Sequence, residues 1–246
     1  DEGPPDAAET VLLLHGEPSW SYLYRTMIPV FAAAGHRVLA PDLVGFGRSD
    51  KPTSLDDYTY ETHAAWLREL LFEALDLQGV TMFCQDWGGL LGLRLAAEQP
   101  DRFRRIVAAN TFLPHGGVQP PKAFEMWKNF CLNAPDLPVG GVIKGGTARP
   151  VDPEVAAAYD APFPDGSYKA GARGFPALVP WDDDDPECVI NLGAWERLGQ
   201  FERPFLTLFG DSDPITAGAD KLFQAHVPGA AGQPHAIIEQ AGHFLQ

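Results

Sequence analysis

Residues 80–89 read Val-Thr-Met-Phe-Cys-Gln-Asp-Trp-Gly-Gly. The apolar first half predicts a buried strand over residues 80–84, and the segment after it predicts a helix over residues 87–98. A sharp turn from a strand into a helix is the frame of a nucleophile elbow, in which the residue at the tip is exposed for attack. The residue at the tip is Asp86. This stretch therefore predicts a strand–turn–helix unit that presents a carboxylate.

An aspartate at the tip changes the electrophile that the elbow can attack. A serine must lose a proton before it attacks, and it suits an acyl carbon. The carboxylate of Asp86 is already an anion at neutral pH and could displace a leaving group from an alkyl carbon unaided. Trp87 follows at once and brings an indole N–H donor beside the nucleophile.

The regions around the elbow alternate between strand and helix patterns. Strands are predicted over residues 10–14, 37–40, 80–84, 105–109, 204–209 and 235–239, and helices over residues 19–34, 60–77, 87–98 and 219–226. Such alternation predicts the α/β class, with a mostly parallel sheet flanked by helices.

Residues 113–190 interrupt this alternation. They are rich in Pro, Gly and Asp and show weak helical periodicity, with few helices expected between residues 140 and 153. A segment inserted between two strands of one sheet is expected to cover the carboxyl ends of the strands, where open α/β sheets bind ligands. We therefore expect a core domain of residues 1–112 and 191–246 and a cap domain of residues 113–190.

Composition restricts the partners. The net charge of −15 over 246 residues disfavours binding to nucleic acid or to an anionic membrane surface. No apolar stretch is long enough for a membrane span, and the acidic N-terminal residues are unlike a secretory signal. The three cysteines, Cys84, Cys131 and Cys188, have no metal-ligand spacing and suggest no disulfide framework. We expect a cytoplasmic protein with a small neutral ligand, no metal and no cofactor.

Two further residues complete a candidate triad with Asp86. Asp213 and His243 each follow a predicted strand, so both would lie at the sheet edge that carries the elbow. Asp211 competes with Asp213, but it could simply cap the turn that follows its strand. Some proteins of this architecture place the acid after the strand that ends near residue 109, where this chain has Asn110 and no carboxylate. We therefore choose Asp213.

Several motifs occur along the chain in one order. They are His-Gly-Glu-Pro-Ser-Trp at 15–20, Ser-Tyr-Leu-Tyr-Arg at 21–25, Gly-Phe-Gly-Arg-Ser-Asp-Lys-Pro at 45–52, Gln-Asp-Trp-Gly-Gly at 85–89, Ala-Pro-Phe-Pro-Asp at 161–165 and His-Phe at 243–244. Together they resemble the haloalkane dehalogenases of the α/β-hydrolase superfamily, in which nucleophile, acid and histidine follow in this order. The resemblance implies an α/β-hydrolase fold with an inserted, mainly helical cap, and a monomer.

The resemblance also implies a reaction in two steps. Asp86 would attack the halogen-bearing carbon of a haloalkane, giving an alkyl-enzyme ester and a halide ion. His243, oriented by Asp213, would then activate a water that hydrolyses the ester. The products would be a primary alcohol, halide and a proton.

The same resemblance assigns the halide donors. The family holds the halide with the tryptophan after the nucleophile, here Trp87, and with either a cap tryptophan or an asparagine after the His-Gly turn. Position 17 is a glutamate, so the second donor would come from the cap. Trp127 matches the subgroup with two tryptophans, while Trp181 and Trp195 are rivals in poorer sequence context.

Other site residues follow from the resemblance. The backbone N–H groups of Glu17 and Trp87 would form the oxyanion hole. The side chain of Glu17 could pair with Arg25, order water near the halide, or make a structural hydrogen bond. The expected pocket wall consists of Phe124, Phe163, Phe175 and Pro176.

The sequence leaves other functions open. An epoxide hydrolase shares the aspartate elbow and would use cap tyrosines, for which Tyr159 and Tyr168 are candidates. A fluoroacetate dehalogenase acts on an anionic substrate and would need arginines beside the nucleophile. Asp86 has no arginine adjacent in sequence. A non-catalytic protein could retain the fold. Relatives have extra strands before the His-Gly strand and a helix after the histidine, so the sequence leaves open whether this chain is trimmed at both ends.

Overall fold

The centre of the molecule is a parallel sheet of six strands. The computed structural model describes residues 1–246. The strands are β1 (Thr10–Leu14), β2 (Arg37–Leu39), β3 (Val80–Gln85), β4 (Phe103–Ala109), β5 (Phe205–Gly210) and β6 (Ala236–Ile238). They lie in the order β2-β1-β3-β4-β5-β6, and every neighbouring pair is parallel. The predicted α/β class and the predicted parallel sheet are confirmed.

Helices flank the sheet and build the inserted segment. The α-helices are α1 (Met27–Ala33), α2 (Tyr60–Arg68), α3 (Trp87–Glu98), α4 (Lys122–Asn133), α5 (Val139–Gly146), α6 (Pro153–Asp160), α7 (Ala170–Gly174), α8 (Pro186–Leu198) and α9 (Ala219–His226). Short 3-10 helices cover Ser21–Tyr24, Leu55–Asp57, Pro100–Arg102, Gly166–Lys169, Phe175–Leu178 and Pro228–Ala230. No helix combines the length and the apolar character needed to traverse a bilayer.

The strand order creates a crevice at the carboxyl ends of β1 and β3. The chain leaves β1 toward β2 on one side and then crosses to β3 on the other side of β1. Right-handed connections place α1 on one face and the helices that follow β2, β3 and β5 on the opposite face. Ligands of open α/β sheets bind at such a reversal. Glu17 follows β1 and Asp86 follows β3, so both lie at this crevice.

Two predicted helices differ in detail. The helix predicted over residues 19–34 is divided into a 3-10 turn and α1. Its first turn is held by tertiary hydrogen bonds, from the backbone N–H of Ser21 to Asp42 at 2.7 Å and from the hydroxyl of Tyr24 to the carbonyl of Leu14 at 2.7 Å. The helix predicted over residues 60–77 is α-helical only to Arg68 and continues as a π-helix over Glu69–Ala74.

The inserted segment is more helical than its sequence pattern predicts. The expectation of few helices between residues 140 and 153 was wrong, because α5 spans Val139–Gly146. Close packing explains its glycine-rich sequence. A Cβ on Gly140 would lie 2.3 Å from the carbonyl oxygen of Ala156 in α6, so α5 can approach α6 only with glycine at this position. The four glycines of α5 weaken the apolar pattern by which a helix is predicted.

A buried arginine joins α8 to the core. The side chain of Arg94 in α3 is 1% exposed and donates to Glu187 at 2.6 Å and to Asn191 at 3.1 and 2.8 Å. Its guanidinium also lies 3.8 Å from the ring centroid of Tyr60. The predicted boundary between residues 190 and 191 falls within α8, which packs against α3 through these contacts.

Replacing Arg94 by leucine is expected to lower the free energy of unfolding by about 2–4 kcal/mol, because it leaves Glu187 and Asn191 without their buried partner. Chemical denaturation measures this loss. Arg104→Leu is the matched control, since the Arg104 side chain is 53% exposed and pairs with Glu9 at the surface. The control is expected to cost less than about 1 kcal/mol. Equal effects of the two substitutions would contradict the structural role of Arg94.

Candidate active site

The elbow holds Asp86 in a conformation that few residues adopt. Its φ and ψ are 52° and −127°. The backbone N–H of Asp86 donates to the carbonyl of Asn110 at 3.1 Å, and the hydroxyl of Thr111 donates to the carbonyl of Asp86 at 2.7 Å. A Cβ on Gly88 would lie 2.0 Å from the carbonyl oxygen of Leu14, so the helix can start against β1 only with glycine there. Strain of this kind is typical of functional turns.

The structure brings the three predicted triad residues together. Nδ1 of His243 lies 3.0 Å from Oδ2 of Asp213, and Nε2 lies 3.4 Å from Oδ2 of Asp86. The Asp213 side chain is 1% exposed, and those of His243 and Asp86 are 9% and 15% exposed. The imidazole is therefore placed between two largely buried carboxylates.

The choice between the two candidate acids agrees with the geometry. Asp213 also accepts a hydrogen bond from the hydroxyl of Thr216 and one from the backbone N–H of Ile215 at 3.0 Å. Asp211 is exposed and accepts from the backbone N–H groups of Gln240 and Ala241 at 3.0 and 3.3 Å. Asp211 thus caps the loop that leads to His243, while Asp213 reaches the imidazole.

The pKa values of His243 and Asp213 follow from the burial of these groups and from the charges around them. Burial alone would lower the pKa of His243, but the charge and hydrogen bond of Asp213, with those of Asp86, raise it to about 10. Burial would raise the pKa of Asp213, but His243 and the bonds from Thr216 and Ile215 lower it. The carboxylates therefore favour the imidazolium, and loss of either negative charge makes proton release from His243 easier.

Glu17 lies beside the nucleophile. Its backbone N–H donates to Oδ1 of Asp86 at 2.7 Å. An oxyanion-hole donor is expected within hydrogen-bonding distance of the oxygen on which negative charge develops. The predicted second donor, the backbone N–H of Trp87, makes no hydrogen bond to this carboxylate. Burial, and then the charge of Asp86, raise the pKa of the Glu17 carboxyl well above its usual range. Both causes favour the neutral form of the Glu17 carboxyl.

The side chain of Glu17 contacts the cap. Oε2 accepts a hydrogen bond from Nε1 of Trp127 at 3.1 Å, while Oε1 is buried without a partner. Of the three roles considered for this side chain, pairing with Arg25 is not found, because Arg25 donates instead to the carbonyl of Tyr22 and to the hydroxyl of Tyr159, each at 3.2 Å. Glu17 thus connects the nucleophile to α4.

An apolar cavity of about 470 Å³ opens above these residues. Asp86, His243 and Glu17 lie in its wall together with both predicted halide donors, Trp87 and Trp127. Most of the remaining wall is apolar and comes from Phe112, Phe124, Phe130, Val142, Pro176, Val179, Ile215 and Phe244. A cavity of this size accommodates a small molecule with few polar groups.

Two of the four predicted wall residues lie elsewhere. Phe124 and Pro176 line the cavity, whereas Phe163 and Phe175 do not. Phe175 is fully buried behind Trp87, with ring centroids 4.6 Å apart, and supports that indole. Phe163 is buried with its ring 6.0 Å from the ammonium of Lys51. The prediction that Phe163 and Phe175 line the cavity was wrong, because an aromatic residue of the cap can equally pack into the core of the protein.

The rival tryptophans and the cap tyrosines are also absent from the cavity wall. The indole N–H of Trp195 donates to the carbonyl of Leu113 at 2.7 Å, and Trp181 stacks on Phe112. Tyr159 is buried against Tyr22 and Arg25, and Tyr168 is 42% exposed. The feature that would have favoured epoxide chemistry, a tyrosine facing the nucleophile, is therefore not present in the wall.

Sequence reasoning missed two buried amides. The side chain of Asn110 donates to the carbonyls of Gly242 and His243 at 2.8 and 2.9 Å and accepts from the backbone N–H of Gly210 at 2.8 Å. The side chain of Gln85 contacts the imidazole and the carbonyl of His243. A polar residue at the end of a buried strand is the signal that could have drawn attention to both.

Comparison with known proteins agrees with this geometry. The family model for the α/β-hydrolase fold matches residues 9–246. A haloalkane dehalogenase of Psychrobacter cryohalolentis is 57% identical over the whole chain, which covers 80% of that protein. One of Mycobacterium marinum is 56% identical, again over the whole chain and over 82% of the relative.

A solved structure is similar throughout. The tetrameric haloalkane dehalogenase DpaA of Paraglaciecola agarilytica superimposes with a TM-score of 0.92 at 40% identity, covering 99% of this chain and 81% of that one. That relative is a tetramer, so it gives no support to the prediction of a monomer. At such identities over nearly the full length, the chain belongs to the haloalkane dehalogenases, hydrolases of the α/β-hydrolase fold that act on carbon–halide bonds.

Proposed function

We propose that this enzyme cleaves primary haloalkanes through an alkyl ester on Asp86, which water activated by His243 then hydrolyses. One observation carries the proposal: the carboxylate of Asp86 lies in the wall of an apolar cavity, 3.4 Å from Nε2 of an imidazole that Asp213 holds on its other side. Water and a haloalkane are the reactants, and a primary alcohol, halide and a proton are the products.

The first step is displacement at carbon. Oδ1 of Asp86 accepts the N–H of Glu17, which leaves Oδ2 to attack the carbon that bears the halogen. The carbon–halogen bond breaks as the oxygen–carbon bond forms, and the halide keeps the bonding electrons. An apolar wall favours this step because it strips water from the carboxylate and binds the alkyl chain.

The departing halide needs proton donors, because an unpaired anion in an apolar cavity is costly. Trp87 and Trp127 both line the cavity, and their indole N–H groups offer a donor without an acceptor that would repel the ion. Trp127 now donates to Glu17, so halide binding requires this N–H to be shared with the ion or turned toward it. The raised pKa of Glu17 favours its neutral form, which places less negative charge beside the halide than an ordinary glutamate would.

Replacing Trp127 by phenylalanine is expected to weaken bromide binding by about 10-fold or more, since a hydrogen bond to a charged group contributes about 1.5–3 kcal/mol. Quenching of the remaining tryptophan fluorescence by bromide measures the dissociation constant. Trp181→Phe removes an indole outside the cavity and is the matched control, with an unchanged constant. An equal loss in both variants, or in neither, would contradict the assignment of Trp127.

The second step is hydrolysis of the ester. Alkylation removes the charge of Asp86, one of the causes that raise the pKa of His243, so the imidazole releases its proton more easily. Nε2 then takes a proton from water, and the hydroxide attacks the ester carbonyl. Negative charge develops on Oδ1, which the N–H of Glu17 already contacts. We propose the N–H of Trp87, at the start of α3, as the second donor.

Attack of the hydroxide gives a tetrahedral intermediate, and its collapse completes the cycle. The bond between the carbonyl carbon of Asp86 and the alkoxy oxygen breaks, and the alcohol leaves with the proton from His243. The carboxyl group of Asp86 loses its proton to solvent, which accounts for the proton released in the net reaction. Asp213 stabilises the imidazolium while it exists.

Product stoichiometry tests the proposal as a whole. With 1-bromobutane as the probe, bromide and 1-butanol are expected in equal amounts, and bromide is expected to quench tryptophan fluorescence. Turnover of styrene oxide without halide quenching would instead support an epoxide hydrolase.

We also propose a reducing compartment, the cytoplasm, as the site of action. Cys84, Cys131 and Cys188 are all free and buried. Three unpaired thiols are typical of proteins kept in a reducing environment.

A further inference from the structure

The residue before the nucleophile contacts the general base. Gln85 is the last residue of β3, and its side chain is fully buried. Its amide nitrogen lies 3.1 Å from Nε2 of His243 and 3.2 Å from the backbone carbonyl oxygen of the same residue. Asp213 contacts Nδ1 of His243, whereas Gln85 and Asp86 both contact Nε2. Nε2 is the nitrogen that the proposed mechanism uses as a base.

The orientation of this amide follows from its neighbours. The backbone carbonyl of His243 can only accept hydrogen bonds, so the group that faces it must be the NH₂ of Gln85 and not its oxygen. The second N–H of the same NH₂ group then points toward Nε2. A donor in this position requires an unprotonated Nε2, which carries a lone pair, and it opposes a protonated Nε2.

We propose that Gln85 is a positioning residue for His243: its amide fixes the ring plane and favours the neutral tautomer with the proton on Nδ1, so that Nε2 is available as a base. The inference rests on the proposed role of His243 in ester hydrolysis. When water replaces the amide at Nε2, Gln85 retains its hydrogen bond to the backbone carbonyl.

The effect of Gln85 on the protonation of His243 is opposite to that of the charged groups around the imidazole. The charged or titratable groups that face His243 are Asp213 on the β5–α9 loop, Asp86 at the elbow and Glu17 on the loop after β1. The two aspartates stabilise the imidazolium. Gln85 is a neutral group that stabilises the free base, and a base works best when its pKa lies near the working pH. Its loss is therefore expected to raise the pKa of His243.

Gln85→Met tests the proposal, because methionine has a similar shape and lacks the NH₂ group. Rapid-quench mass spectrometry with 1-bromobutane separates formation of the alkyl-enzyme from its hydrolysis across a pH series. We expect the alkylation rate to change little and the pH midpoint of hydrolysis to move upward by about half to one pH unit, the equivalent of one neutral hydrogen bond. A rate that falls equally at every pH, with an unmoved midpoint, would overturn the proposal.

A second measurement does not depend on turnover. Titration of the His243 imidazole by nitrogen NMR in the resting enzyme is expected to give a higher pKa in Gln85→Met than in the unsubstituted protein. If Gln85→Met does not fold, Gln85→Glu keeps the shape, replaces NH₂ by an oxygen and is expected to raise the pKa further. An unchanged imidazole pKa would overturn the role of Gln85, whereas failure of the proposed reaction would leave this shift intact.

Asn110→Gly is the matched control for both measurements. The side chain of Asn110 donates to the same backbone carbonyl of His243 but does not touch the ring, and its φ of 35° suits glycine. The control is expected to lose stability and to leave the pH midpoint of hydrolysis and the imidazole pKa unchanged. A shift as large as that of Gln85→Met would mean that anchoring of the loop, and not the contact with the ring, controls His243.

Discussion

Replacing Asp86 by asparagine is expected to lower halide release by at least about 10⁴-fold while the chain stays folded, because an uncharged amide cannot displace halide from carbon. Asparagine has the shape of aspartate, and its oxygen can still accept the N–H of Glu17, so the elbow geometry is retained. Ion chromatography of released bromide measures the rate, and circular dichroism checks the fold.

Two controls make this substitution decisive. Asp211→Asn makes the same chemical change in the loop after β5, at an exposed carboxylate that does not face the cavity, and its activity is expected to stay of the same order. Mass analysis of the peptide around position 86 shows whether the asparagine has deamidated back to aspartate. Turnover undiminished in an Asp86→Asn sample free of aspartate would contradict the role of Asp86 as nucleophile.

Replacing His243 by glutamine separates the two chemical steps. Alkylation does not need the base, so halide is expected to appear in an amount equal to the enzyme and then nearly stop. Ester hydrolysis is expected to slow by about 10²–10⁴-fold, the usual contribution of a general base. Intact-mass analysis should find one alkyl group per chain, and peptide mapping should place it on Asp86.

His226→Gln controls for the loss of a histidine. The side chain of His226 contacts the carbonyl of Trp195, outside the candidate site. This variant is expected to turn over continuously without storing the ester. Continuous halide release at the unsubstituted rate by His243→Gln would show that another group activates the water.

The chemistry of this site was accessible from sequence because it depends on residue types at strand ends. An apolar run followed by Gln85-Asp86-Trp87 predicts the elbow, and the carboxyl ends of parallel strands meet at one edge. The structure accordingly brings Asp86, Asp213 and His243 within hydrogen-bonding or ion-pairing distance. Trp127 required the family resemblance, since nothing in its own segment shows that it faces the nucleophile.

What could not be predicted depends on packing between elements distant in sequence. Phe175 and Phe124 are both apolar cap residues, but only the fold shows that one supports Trp87 and the other lines the cavity. The hydrogen bond between Glu17 and Trp127 joins positions 110 residues apart. The contact of Gln85 with His243 spans 158 residues, and the position of a glutamine at the end of a buried strand marks it as unusual without identifying its partner.

A single turnover in water labelled with ¹⁸O tests the central claim most directly. With enzyme in excess over 1-bromobutane, hydrolysis of an ester on Asp86 would place the label in the Asp86 carboxyl group, and the alcohol would carry an unlabelled oxygen from the enzyme. Mass analysis of the alcohol and of the peptide containing Asp86 reads both positions. Label found in the first alcohol formed, with none in Asp86, would show direct attack by water and would contradict the covalent mechanism.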